Sequence, residues 1–143
     1  MFGKFEKNRF EATLRNIELI INIHASTQIM KGKSDQLLAL VDGNPFSLIK
    51  EKHLPATYIG ELDDPNHANI NGYQWYFDRS DHTLVYRIEN KGYFPPSESE
   101  STHVKFKLIL KYTDKNANSV FDKRIDEIRG LLLKPQIEYK WLS

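Results

Sequence analysis

With 143 residues, 40% of them apolar, the chain has the size and greasiness for one domain around one core. Twenty Lys and Arg against 19 Asp and Glu leave a net charge of +1, too little to draw nucleic acid or an anionic membrane, and zero cysteines exclude disulfides, a thiolate nucleophile and a cysteine metal site. No apolar run approaches the roughly 20 residues that cross a bilayer, and "MFGKFEKNRF" lacks the apolar core of a signal peptide, so the chain as given is expected to be soluble.

From about Lys4 to Lys31 neither Pro nor Gly interrupts an apolar pattern of helical spacing, and Gly32 supplies a stop. On a helical wheel Phe10, Leu14, Ile17 and Ile21 share a narrow stripe, widened by Thr13, Ile20 and His24. Phe5, Ala12, Leu19 and Ile23 gather on roughly the opposite side. A helix lying on one sheet needs one apolar face, so the second stripe either waits for a partner or is covered by the connector from Leu37 to Val41. Two short helical segments are expected next, "SDQLLALVDG" and "NPFSLIKEKHLP", the latter with Asn44 as N-cap and Pro45 at the first helical position.

"TYIGELDDPNHANING" reads as a polar connector rich in turns. After it, "GYQWYFDRSDHTLVYRIEN" reads as a hairpin with one buried face: Tyr73, Trp75 and Phe77 alternate with Gln74, Tyr76 and Asp78, and Leu84, Tyr86 and Ile88 alternate with Thr83, Val85, Arg87 and Glu89. "YFPPSESEST" is a loop that cannot continue a ladder. In "HVKFKLILKYT", Val104, Phe106, Leu108, Leu110 and Tyr112 face away from Lys105, Lys107 and Lys111, the mark of a half-buried strand. Phe121, Ile125, Ile128 and Leu132 recur at helical spacing, with Gly130 and Pro135 ending that helix early, and "IEYKW", with Ile137, Tyr139 and Trp141 on one side, reads as a fourth strand. The expected architecture is α+β, a long N-terminal helix packed on an approximately four-stranded antiparallel sheet; Phe10, Leu14, Ile17, Ile21, Trp75, Phe77, Leu84 and Tyr86 form the helix-to-sheet core. Helix first and sheet after fits both a pilin-like and a cystatin-like fold.

Chemistry is sparse. A phosphate loop, a dinucleotide glycine motif, a nucleophile elbow and a His-Glu zinc helix are all missing, and His24, His53, His67, His82 and His103 form no i, i+4 pair, so no catalytic residue and no enzyme activity are expected. Asp63 and Asp64, ahead of Pro65, read as turn carboxylates. Asp114, Asn116, Asn118 and Asp122 match the early spacing of a calcium loop, but Ser119 stands where the turn glycine belongs and Ile125 where the bidentate carboxylate belongs. A polar turn capped by Asn118 or Ser119 explains the same residues, and calcium is the one cofactor the pattern raises. The aromatic candidates for saccharide binding, Tyr73, Trp75, Tyr76 and Trp141, include two tryptophans on core faces.

Four segments together resemble type IV pilins and pseudopilins, most closely minor pilin-like proteins of mannose-sensitive haemagglutinin (MSHA) pilus systems: "NRFEATLRNIELIINIH", "NPFSLI" with "LPATYIGEL", the hairpin "GYQWYFDRSDHTLVYRIEN", and "IEYKWL". The resemblance implies a single pilin-like domain over 1–143, divided into the exposed half of the helix (1–31), a connector (32–71) and the sheet with the C-terminal region (72–143). Members of the family begin with a basic leader and a long apolar anchor helix, which this sequence lacks, so the resemblance implies the soluble part of a longer subunit with Met1 as a start residue. It departs from many pilins again in lacking the C-terminal cysteine pair. What the resemblance implies is a non-enzymatic subunit of a type IV pilus or type II secretion assembly, anchored in the inner membrane with its domain in the periplasm. Its partners would be other pilin-like subunits and the inner-membrane assembly proteins. Phe5, Ala12, Leu19 and Ile23 would then meet neighbouring helices. A free-standing cystatin-like or ligand-binding α+β domain is the alternative.

Overall fold

The computed structural model describes residues 2–65, 70–89, 103–113, 121 and 127–136, with side chains from Phe5 onward. The fold is α+β. A long helix α1 (Phe2–Met30) leads through three short 3-10 turns (Ser34–Leu40, Pro45–Leu48, Glu51–His53) into β1 (Tyr58–Leu62), β2 (Trp75–Asp78), β3 (Thr83–Arg87), β4 (His103–Thr113) and β5 (Glu127–Pro135). At 29 residues α1 is about 43 Å long. No acidic residue occupies its first turn and no basic residue its last, so charge does not steady its ends. Its C-terminus closes by geometry instead: Lys33 N–H donates to Gln28 C=O at 2.8 Å and Gly32 N–H to Ile29 C=O at 3.0 Å, with Gly32 at φ 72°. That pair of bonds is a Schellman motif, and only glycine takes its left-handed position without strain.

The strands form one five-stranded sheet in the order β1-β2-β3-β4-β5. β1 runs parallel to β2, while β2, β3, β4 and β5 pair antiparallel in succession. The sheet is therefore mixed, and among the described residues it holds two strands that the sequence reading does not expect, while the fourth strand expected at "IEYKW" lies outside the described residues. One of the two is Tyr58–Leu62, which reads as a connector. Gly60, at φ 103°, lies where the register shifts between Tyr58 and Glu61, so that Tyr58 joins the core beside the helix and Leu62 the opposite face. A five-residue run that changes faces midway carries no period-2 signal.

The helix expected through Ile128 and Leu132 is also a strand, β5. Its eight-pair ladder with β4 overrides a helical spacing that three Leu in a row mimic. Gly130, at φ 154° beside the register shift at Lys111 and Tyr112, takes a backbone conformation that favours glycine, and Leu132 points outward at 46% exposed. The two connector helices are 3-10 turns, the second capped as expected: Asn44 Oδ1 accepts from Phe46 N–H at 3.0 Å with Pro45 at its start. Ile125, Ile137, Tyr139 and Trp141 lie outside the described residues.

The core fills the space between α1 and the sheet. Phe10 is its hub, stacked on Trp75 with ring centres 5.4 Å apart and tilted against Tyr86 at 4.9 Å and Phe106 at 6.2 Å. Ile17, Ile21, Leu37, Phe46 and Leu84 complete the enclosure, with Leu14 packed partly buried against it. Phe77 is buried as well. The hairpin differs from expectation in two respects: Tyr73 stands before β2 in a turn at φ 69°, half-buried and outside the alternation, and all of Trp75–Asp78 and Thr83–Tyr86 are buried, so both faces are covered. On the side away from α1, Ile70, Tyr76 and Val85 make a second, smaller cluster with Leu62, supplied by β1 and the crossover that the sequence had left polar.

Candidate functional site

Two surfaces stand out from this frame. The first is the outward side of α1. Its inward side is spent on the core, yet Phe5 is 62%, Leu19 57% and Ile23 58% exposed, with Ala12 exposed between them. Met30, at the same angle on the helical wheel and 87% exposed, extends the stripe to the end of the helix. The connector does not cover it, because Leu37 is fully buried in the core on the other side. Beside the stripe a largely apolar groove of about 410 Å³ opens between α1 and the second and third 3-10 turns, with Leu19 and Ile20 on one wall and Ile49 and Pro55 on the other.

The second surface is a cleft of about 610 Å³ on the face of the sheet away from α1. Asp63, Asp64, Asp78 and Asp81 line it together with Arg87, His103 and Lys105, over a floor formed by Ile70 and Tyr76. The hairpin turn organises its rim. Asp78 Oδ1 accepts from Ser80 N–H at 2.9 Å and from Ser80 Oγ at 2.6 Å; Thr83 Oγ1 donates to Asp81 Oδ1 at 2.6 Å, and Lys105 Nζ to Asp81 Oδ2 at 3.0 Å. Burial alone would raise the Asp81 pKa, but the bonds from Thr83 and Lys105 outweigh it and hold the carboxyl below its usual value. Burial pushes the Tyr76 phenol up to about 12, helped by Asp78 and Asp81, so it stays a neutral hydroxyl. Burial, followed by the charges of Arg87 and Lys105, pushes the His103 imidazole down.

A third polar feature is internal. Glu6 is 1% exposed, and its Oε2 accepts from Tyr86 Oη at 2.6 Å and from Glu89 N–H at 2.9 Å, tying the start of α1 to the end of β3. Burial first, then the Glu6 bond and charge, drives the Tyr86 phenol far above its ordinary pKa. Sequence reading passed over Glu6, although on the wheel it falls in the same wing of the core stripe as His24. The cleft was invisible to it because the crossover that supplies Asp63, Asp64, Pro65 and Ile70 reads, together with β1, as one polar loop.

The structure spreads the remaining candidates apart. His53 and His82 are exposed, His24 and His103 half-buried, and His67 lies outside the described residues. Among the described residues no group of three or more His, Asp or Glu is placed to hold a metal ion. The calcium-loop residues Asp114, Asn116, Asn118 and Asp122 also lie outside the described residues. Trp75 and Tyr76 are buried, so neither is a stacking platform for sugar. Asp63 pairs with Arg79 at 2.8 Å, which is what a turn carboxylate does. Among the described residues no helix is long and apolar enough to cross a membrane. No family model matches the chain, and no curated protein or solved structure proves similar to it.

Proposed function

We propose that the protein is a non-enzymatic structural subunit, a minor pilin or pseudopilin of a type IV pilus of the MSHA kind or of a type II secretion assembly. The observation that carries this reading is the second apolar stripe of α1. Phe5, Leu19, Ile23 and Met30 stand exposed along one line of a helix whose other side holds the sheet. Each large apolar side chain left in water forgoes about 1.5–3 kcal/mol of burial, and a line of them suits a neighbouring helix better than solvent. Neighbouring pilin-like subunits would cover the stripe, with the domain in the periplasm and the inner-membrane assembly proteins as further partners.

Leu19→Asp tests the reading. Because Leu19 is exposed, the isolated domain should unfold within about 0.5 kcal/mol of the parent while the subunit no longer enters filaments in cells that build them. A domain that unfolds, or a variant that assembles normally, overturns the proposal. A second reading, a free-standing ligand-binding α+β domain, draws on the polar cleft. Its cystatin-like form fits less well, since the hairpin turn from Asp78 to Thr83 is polar and bonded to itself where an inhibitory wedge would be apolar.

A further inference from the structure

The face of the sheet turned away from α1 is divided by charge. Alternation along β4 sends Val104, Phe106 and Leu108 into the core and Lys105, Lys107, Ile109 and Lys111 the other way. The ladder sets Lys107 directly opposite Lys134 of β5 and Ile109 opposite Leu132. Three lysines thus surround an apolar centre at the β4–β5 edge. Lys105 is neutralised by Asp81, but the ammonium groups of Lys107, Lys111 and Lys134 have no ion pair or hydrogen bond among the described residues. Like charges directly opposite on a sheet are unfavourable. Fold stability gives no reason to place them there.

Beside these lysines on the same face, from β2 to the start of β4, lies the cleft, where the carboxylates of Asp63, Asp64, Asp78 and Asp81 face two charged bases, Arg87 and Lys105, His103 being pushed towards its neutral form. Asp63 shares Arg79, yet its side chain is 80% exposed. One patch is concave and acidic, the other basic with Leu132 standing out from it. Each has the charge and relief the other lacks.

We propose that this face is a second docking surface, on which the β4–β5 edge of one copy, Lys107, Lys111 and Lys134 around Leu132, seats against the acidic cleft of another copy of this chain. The inference rests on the reading of the protein as a filament subunit and adds to the helix stripe a lateral contact between domains. A second copy is the occupant that uses both patches at once; a foreign acidic partner would use only the lysines. With a net charge of +1 the chain has no general surplus of either sign, so the pairing depends on the separation of charge within one face. The two patches lie side by side on one face, so two copies related by a two-fold axis each set their lysines against the other's cleft.

Zero-length carbodiimide cross-linking of mixed ¹⁴N and ¹⁵N protein tests this. The expected result is mixed-isotope peptides joining Lys107, Lys111 or Lys134 to Asp63 or Asp64, fading at about 0.5 M salt, where charges are screened beyond a few ångströms. The pair Lys107→Glu with Lys134→Glu should lower that yield about tenfold. Adding Asp63→Lys and Asp64→Lys in the second copy should restore it. Cross-links that join other residues, that ignore salt, or that the swapped charges fail to restore overturn the inference. Folding is controlled internally, since Lys134→Glu alone removes a repulsion and should leave thermal unfolding unchanged or raised. If Leu19→Asp stops assembly while the lysine reversals do not, the filament reading stands and this contact falls; the reverse outcome removes the helix stripe and keeps the contact.

Discussion

The two faces of the sheet are built by different physics. Towards α1 the strands present Trp75, Leu84, Tyr86, Val104, Phe106 and Leu108 to Phe10, Ile17 and Ile21, a thick aromatic and aliphatic layer with one buried carboxylate at its end. Away from α1, Ile70, Tyr76 and Val85 form a thin layer under a cleft of charged groups. The first face holds the fold together; the second costs little to alter and holds most of the charge. Recognition by this protein is therefore expected on surfaces that folding does not need: the far side of α1 and the far side of the sheet.

That contrast is broken most sharply at Phe10. Its ring touches Trp75, Tyr86 and Phe106 within 6.2 Å, so Phe10→Ala should cost about 3–5 kcal/mol, read as a fall in the denaturation midpoint. A loss below about 1 kcal/mol would show that the helix does not rest on the sheet as described. Glu6→Ala comes next. It leaves the Tyr86 hydroxyl and the Glu89 N–H without this acceptor, and an orphaned buried donor costs about 1–3 kcal/mol. Tyr86→Phe removes the hydroxyl that would be stranded, so a double-mutant cycle should show clear coupling between the two sites. Additive losses would mean that the bond between α1 and β3 contributes nothing.

The thick face was legible in the sequence and the thin one was not. A helix stripe of Phe10, Ile17 and Ile21, and strands alternating through Trp75, Leu84, Tyr86 and Val104 to Leu108, repeat their period long enough to be read. β1 and β5 escaped because each contains a glycine at a register shift, Gly60 and Gly130, and an irregular ladder erases the alternation that marks a strand. With β1 unread, the parallel pairing, the second cluster and the cleft went with it. Glu6 escaped for another reason: a carboxylate on the wing of an apolar stripe reads as surface until the strand bearing Tyr86 is set against it. The exposed stripe through Leu19 and Ile23 could be read from the wheel, and the structure supplied its continuation to Met30 and the groove beside it.

The smallest expected effect lies on the thin face and depends on pH. His103 sits half-buried on β4 opposite Arg87, with Lys105 two residues along, Tyr76 edge-on at 6.4 Å and Asp81 held by Lys105 across the turn. Its pKa is lowered in the folded state, chiefly by burial and then by Arg87 and Lys105. Above about pH 6.5, the ordinary histidine value, both folded and unfolded states hold it neutral and it contributes nothing to the pH dependence. As pH falls below that value the unfolded chain takes up a proton that the folded chain resists, so stability drops until the folded value is passed. Asp81, lowered instead, loses its contribution only at more acid pH, in the carboxylate range, which keeps the two windows apart. Thermal unfolding followed between pH 7.5 and 5, as working limits of about one to two units either side of the free imidazole, should fall more steeply for the parent than for His103→Gln. Parallel curves would show that neither burial on the outer face nor the cations Arg87 and Lys105 hold the His103 imidazole down.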